Sequence, residues 1–116
     1  MAAPIGPYVP IVRAGDFLIC SGQLGATDGV LANGIEAQVQ QAVANVAELL
    51  FSEGSSLEEV VKTTVYLADI RDFTAMNQAY LVAFEGHRPA RSAVAVSALP
   101  IGASVEIEAW AFSPRR

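Results

Sequence analysis

The chain has 116 residues, 53% hydrophobic and 16% charged, with a formal net charge of −5 at pH 7. That length suits one domain over residues 1–116, and an acidic balance with no basic stripe argues against a phosphate-backbone partner. A single cysteine, Cys20, and a single histidine, His87, exclude an intramolecular disulfide and leave no metal-ligand cluster.

The apolar excess over an average domain predicts that part of the surface is covered by another subunit, so a homo-oligomer is expected. No uncharged stretch is long enough to cross a membrane, and Met1-Ala2-Ala3-Pro4-Ile5-Gly6 lacks the basic and apolar regions of a signal peptide. The expectation is a cytoplasmic protein without membrane or nucleic-acid partners.

Residues 8–13 read as a first extended segment, Gly15-Asp16 as a turn and residues 17–21 as a strand, together a hairpin. Within it, Cys20 in Phe17-Leu18-Ile19-Cys20 reads as a buried structural thiol rather than a nucleophile. Residues 22–33, rich in glycine and polar side chains, read as a loop. Asn33 with Glu36 forms a capping-box pattern for a helix whose stripe is Ile35, Val39, Ala42, Val43, Val46, Leu49 and Leu50, ending at Gly54.

Ser56 with Glu59 repeats the capping pattern ahead of a β-branched strand over residues 60–67. Asp72 is the expected cap of a second helix with Phe73, Met76, Tyr80 and Phe84 on one face and Asn77 one turn beyond Phe73. His87 falls in the polar turn Glu85-Gly86-His87-Arg88, where a solvated loop histidine is the simplest reading. Strands over 92–97 and 104–112 follow, joined by the loop Leu99-Pro100-Ile101-Gly102. The order β-β-α-β-α-β-β predicts an α+β sandwich with both helices on one sheet face.

Pro89-Ala90-Arg91-Ser92 sets an arginine at the mouth of the apolar run Ala93-Val94-Ala95-Val96. A guanidinium is always charged and offers a planar fork that matches a carboxylate with two bonds, which lysine cannot do. Arg91 therefore either holds a small carboxylate or snorkels from a strand end to pair with a surface acid. In the last strand, alternation sets Glu106, Glu108, Trp110 and Phe112 on one face and Val105, Ile107, Ala109 and Ala111 on the other. Two carboxylates on an open face are solubilising charges; on a face covered by a subunit they suit acid or base work.

Ile5-Gly6-Pro7-Tyr8, Ser21-Gly22-Gln23, Val60-Val61-Lys62-Thr63-Thr64-Val65-Tyr66-Leu67-Ala68-Asp69, Asp72-Phe73, Asn77, Tyr80, Pro89-Ala90-Arg91-Ser92 and Val105-Glu106-Ile107-Glu108-Ala109 occur in the order of the RidA (YjgF) family of reactive-intermediate deaminases, and by them the chain resembles that family over nearly its whole length. The resemblance implies a chorismate-mutase-like fold, a homotrimer with a central barrel and a cleft at each of three interfaces, and cofactor-free hydrolysis of enamines and imines such as 2-aminoacrylate to 2-keto acids and ammonia.

It also implies roles. Arg91 stands for the arginine that binds the substrate carboxylate. Glu106 stands for the glutamate that orients or activates water or moves a proton to the leaving amine, and Tyr8 and Ser21 for a phenol and hydroxyl lining the cleft. Phe73 would wall the pocket, and Asn77 would stabilise the local structure. Ala93 occupies a substrate-side position where the archetype has cysteine, and Pro10 one where it commonly has glutamine. The loop before Pro89 is shorter, Arg88 stands where an apolar or aromatic residue is usual and is either a solvated side chain, the simpler reading, or a second cation that favours a dicarboxylate, and Gly25 stands where proline is frequent. A non-catalytic binder of small carboxylates and an endoribonuclease are the competing functions, the second disfavoured by the acidic charge.

Overall fold

The computed structural model describes residues 6–115. Ile5, which opens the first motif, and the N-terminal segment before it lie outside the described residues. Along the chain run β1 (Ile11–Ala14), β2 (Phe17–Leu24), β3 (Ala26–Thr27), β4 (Val30–Leu31), α1 (Ile35–Ser52), β5 (Val60–Leu67), α2 (Phe73–Ala83), β6 (Ala90–Ala95) and β7 (Val105–Phe112). Five strands pair in the order β1-β2-β7-β5-β6, and β3 and β4 pair separately. Within the large sheet β5 and β6 are parallel and the other pairs antiparallel. A parallel pair needs a long crossover, which α2 provides.

The last strand, β7, runs in the middle of the sheet, and its alternation decides the two faces. Val105, Ile107, Ala109 and Ala111 are fully buried and share one cluster with Val39, Val43, Val46 and Leu50 of α1 and Met76 and Tyr80 of α2. Both helices therefore cover one face, as the α+β pattern predicts, and each such buried Val or Leu contributes about 1.5–3 kcal/mol of transfer free energy. The other face carries Glu106 and Glu108 and, beside them, a half-open aromatic patch. Phe17 meets Trp110 and Phe112 edge-on, with centroids 5.9 and 5.5 Å apart, and Trp110 and Phe112 remain 43% and 45% exposed.

Several local expectations are corrected. Residues 22–33 are not all loop: β2 continues to Leu24, and a β3–β4 hairpin turns on Asp28-Gly29, both at positive φ (52° and 79°), the geometry that an Asp-Gly pair favours. The α1 cap is Gly34 rather than Asn33, because φ 92° and ψ 164° are open to glycine and costly for any other residue. Asp72 makes no side-chain cap; Asp69 accepts from the Arg71 N–H at 2.9 Å instead. Ser56 likewise caps nothing through its side chain, and Ser55 donates to Glu59 at 2.6 Å. The strand expected at 92–97 starts earlier, since pairing with β5 begins at Lys62 and Ala90, so Arg91 lies inside β6 rather than at its mouth.

Candidate active site

A cleft of about 380 Å³ opens on the helix-free side, lined by Tyr8, Ser21, Gly22, Leu24, Pro100, Glu106 and Glu108. Its floor depends on an irregularity in β2. Cys20 pairs with Ala109 but Gln23 with Ile107, so β2 spends one residue more than β7 over this interval. Such a bulge breaks alternation and re-aims side chains. It sets Ser21 and Gly22 beside Glu106. The Ser21 hydroxyl donates to the Val9 carbonyl at 2.7 Å and its N–H to Pro10 at 2.8 Å, which ties the Tyr8-Val9-Pro10 segment over the cleft. With its proton engaged, the Ser21 oxygen is left as an acceptor.

Gly22 and Glu106 are complementary: a β-carbon on Gly22 would overlap the Glu106 carboxylate, so glycine is what seats that side chain. Glu106 lies opposite Tyr66 of β5 in register, yet the Tyr66 hydroxyl reaches past it to donate to Glu108 at 2.7 Å. Burial first, and the Glu108 charge second, hold the Glu106 carboxyl above its ordinary value. The same hydrogen bond to Glu108 is the main cause of a raised Tyr66 phenol.

A second cluster lies on the helix-covered face. Arg91 pairs with Thr63, whose hydroxyl shares a 2.7 Å hydrogen bond with Tyr80 of α2. The guanidinium sits 5.7 Å from the Phe73 ring centroid and 5.1 Å from that of Tyr80, with Nη1 3.7 Å from the Met76 sulfur. Cation–π contact orients it without neutralising it. Among the described residues no carboxylate forms an ion pair with Arg91, so the surface-pair alternative is not what the fold builds. Asn77 follows Phe73 by one turn, and its buried Oδ1 has no hydrogen-bond partner among the described residues. Ala93 packs against the core from the same face of β6.

The predicted residues thus divide. Tyr8, Ser21 and Glu106 meet in the cleft; Arg91, Phe73, Asn77 and Ala93 belong to the other side of the sheet. Sequence reading did not find Tyr66 and Pro100 as neighbours of the site, and only strand register could have supplied Tyr66. Gly25, the departure from proline, is where the end of β2 approaches α1 so closely that a β-carbon would overlap the Gln38 backbone. Cys20 is buried and its thiol is pushed up to about 12 by desolvation, which fits a structural thiol.

A family model described as Endoribonuclease L-PSP matches residues 1–113. The chain belongs to this family, the RidA (YjgF) family of the resemblance above. It is 42% identical over 112 residues to a mouse protein named 2-iminobutanoate/2-iminopropanoate deaminase, covering 94% of this chain and 83% of that one. Among solved structures, the YjgF gene product of E. coli superposes with a TM-score of 0.91 at 38% identity, over 99% of this chain and 93% of that one. E. coli TdcF, solved with bound serine, gives 0.91 at 33% identity over 96% and 91%. The α+β architecture described here is the fold of the family.

Proposed function

We propose that the protein is a hydrolytic deaminase of small enamine and imine carboxylates, of the 2-aminoacrylate and 2-iminopropionate type, releasing 2-keto acids and ammonia without a cofactor. The observation that carries the reading is a guanidinium oriented by aromatic rings and with no acid partner among the described residues, in a chain whose Glu106, Tyr8 and Ser21 line an open cleft. The 42% identity to a named deaminase supports the substrate class.

The two half-sites stand on opposite sheet faces, so the reading requires a homotrimer in which Arg91, Phe73 and Ala93 of one copy complete the Glu106 cleft of the next. The half-open apolar face around Trp110 and Phe112 supports burial against another copy. Cytoplasmic residence and the absence of a nucleic-acid partner belong to the same proposal, and the net charge of −5 supports the latter.

In this mechanism Arg91 fixes the substrate carboxylate and the Tyr8 and Ser21 oxygens hold a water. The water oxygen bonds to the imine carbon while the C=N electron pair moves to nitrogen, which gains a proton; the water loses one to a carboxylate. The amino nitrogen of the resulting carbinolamine then takes up a further proton, the C–N bond breaks with its electrons going to nitrogen, the hydroxyl gives up its proton as the C=O forms, and ammonia leaves a 2-keto acid. Glu106 is placed to orient the water or to pass these protons. Imines are already electrophilic, so orientation is most of what is needed, and its ceiling is roughly 7–11 kcal/mol.

The test is keto-acid and ammonia release from freshly generated 2-iminopropionate. Acceleration by the wild type that Glu106→Gln removes supports the reading, and no acceleration by the wild type overturns it. RNA cleavage that survives Glu106→Gln would favour the endoribonuclease alternative.

A further inference from the structure

His87 is the single histidine of the chain, and nothing in the mechanism above uses it. Expected from the sequence as a solvated loop side chain, it is instead half-buried, and its ring joins two elements. Nε2 lies 2.8 Å from the Val60 carbonyl at the start of β5. A carbonyl only accepts, so Nε2 carries the hydrogen and donates. The ring also packs on Phe84, with centroids 6.4 Å apart, and Phe84 in turn lies 4.6 Å from Tyr80, spacings at which aromatic rings attract one another.

Both contacts lead to Arg91. The ladder between β5 and β6 begins only at Lys62 and Ala90, so Val60 stands before it and β6 supplies no paired residue there. His87 bridges that interval with a side chain, four residues ahead of Arg91. By the second route, Phe84 backs Tyr80, whose ring centroid is 5.1 Å from the Arg91 guanidinium. The Tyr80 hydroxyl bonds to Thr63, the residue in register with Arg91.

The segment that carries His87 has little slack. It runs from Phe84 to Pro89 between α2 and β6, with Glu85 and Gly86 both at positive φ (53° and 86°). The N–H groups of Glu85, Gly86 and His87 return to the Val82, Leu81 and Phe84 carbonyls at 3.0, 3.1 and 3.0 Å. The first two are the paired bonds of a Schellman turn. Only Arg88 and Pro89 then separate His87 from the ladder, and proline fixes its own φ. Holding the His87 ring therefore holds the start of β6.

We propose that His87 is a positioning residue for the carboxylate anchor: by pinning the α2–β6 turn to Val60 it sets where Arg91 stands against the Tyr80 and Phe73 rings. The hydrogen bond is the main route, because Val60 belongs to the sheet whereas Phe84 belongs to the turn itself.

The anchor's role in hydrolysis rests on the deaminase reading, so the primary test does not use activity. In the assembled, ligand-free protein, the Arg91 Nε–H signal in a ¹H–¹⁵N spectrum reports where the guanidinium lies over its two rings. His87→Phe keeps a ring on Phe84 but lacks the donor, and is expected to shift that signal. His87→Gln carries its amide nitrogen the same number of bonds from the backbone, and is expected to return the signal to the wild-type position. Should His87→Phe fail to assemble, His87→Asn, one carbon too short for Val60, takes its place.

In kinetics with 2-iminopropionate, His87→Phe raises KM several-fold with kcat nearly unchanged, the pattern of a weakened carboxylate contact, and His87→Gln restores it. In an Arg91→Ala background the same substitution adds nothing, since the group that it positions is gone. The proposal is overturned by an Arg91 signal that loss of the donor leaves unmoved, by one that His87→Gln shifts as far as His87→Phe, or by a KM effect that persists undiminished without Arg91. A shifted Arg91 signal in a protein that does not hydrolyse 2-iminopropionate would overturn the deaminase reading and leave the positioning role standing.

Discussion

Arg91 and Glu106 project from opposite faces of one sheet. Arg91 is in register with Thr63, whose hydroxyl meets Tyr80 under α2, while Glu106 is in register with Tyr66, on the helix-free side. β5 runs between the strands that carry them. A carboxylate held by Arg91 is thus separated by the sheet from Glu106 of the same copy, which is the physical reason for reading the site as shared between copies.

Replacing Arg91 with alanine removes the charge-assisted bonds to the substrate carboxylate, worth about 2–3 kcal/mol, or roughly 30- to 150-fold in kcat/KM. Arg91→Lys recovers only part of this, because an ammonium lacks the fork and stacks less well on Phe73 and Tyr80. Steady-state kinetics of the three proteins checks it; equal activity of arginine and alanine forms removes the anchor.

Gly22→Ala is expected to cost activity without costing the fold. The added β-carbon meets the Glu106 side chain, which can swing away, and Gly22 is not at positive φ. A displacement of about 1 Å at a reacting group lowers the rate by roughly 100-fold. Activity and melting temperature measured together give a large change in the first and little in the second.

The raised Glu106 carboxyl sets a sign for stability against pH. The folded protein binds that proton more tightly than the unfolded chain, whose ordinary value is 4.5. The stability it contributes is complete below that value and is lost as pH rises through the folded midpoint. Glu106→Gln should therefore melt higher than wild type at pH 8 and gain nothing at pH 4. A gain at pH 4, or none at pH 8, contradicts the raised value.

Periodicity was sufficient for α1 and for the two faces of β7, since in both cases burial follows spacing alone. It missed what depends on pairing. The start of β6 is set by its ladder with β5, the hairpin at Asp28-Gly29 is flanked by strands of only two residues, and the α1 cap lies in the backbone angles of Gly34 rather than in the Asn33 side chain. For the site, the candidates Tyr8, Ser21 and Glu106 named from the sequence share a cleft. Tyr66 was not among them, because its hydroxyl reaches Glu108 diagonally across two strands, and Gly22 was only a motif letter until the Glu106 carboxylate lay against it.

Mixing two inactive variants tests the shared site most directly. Arg91→Ala and Glu106→Gln chains, denatured together in equal amounts and reassembled, can place an intact arginine from one copy against an intact glutamate from the next. In a trimer with random composition, about one site in four is intact, and 2-iminopropionate hydrolysis should return to about a quarter of the wild-type rate. Activity no higher than that of the separate variants would contradict a site built from two copies.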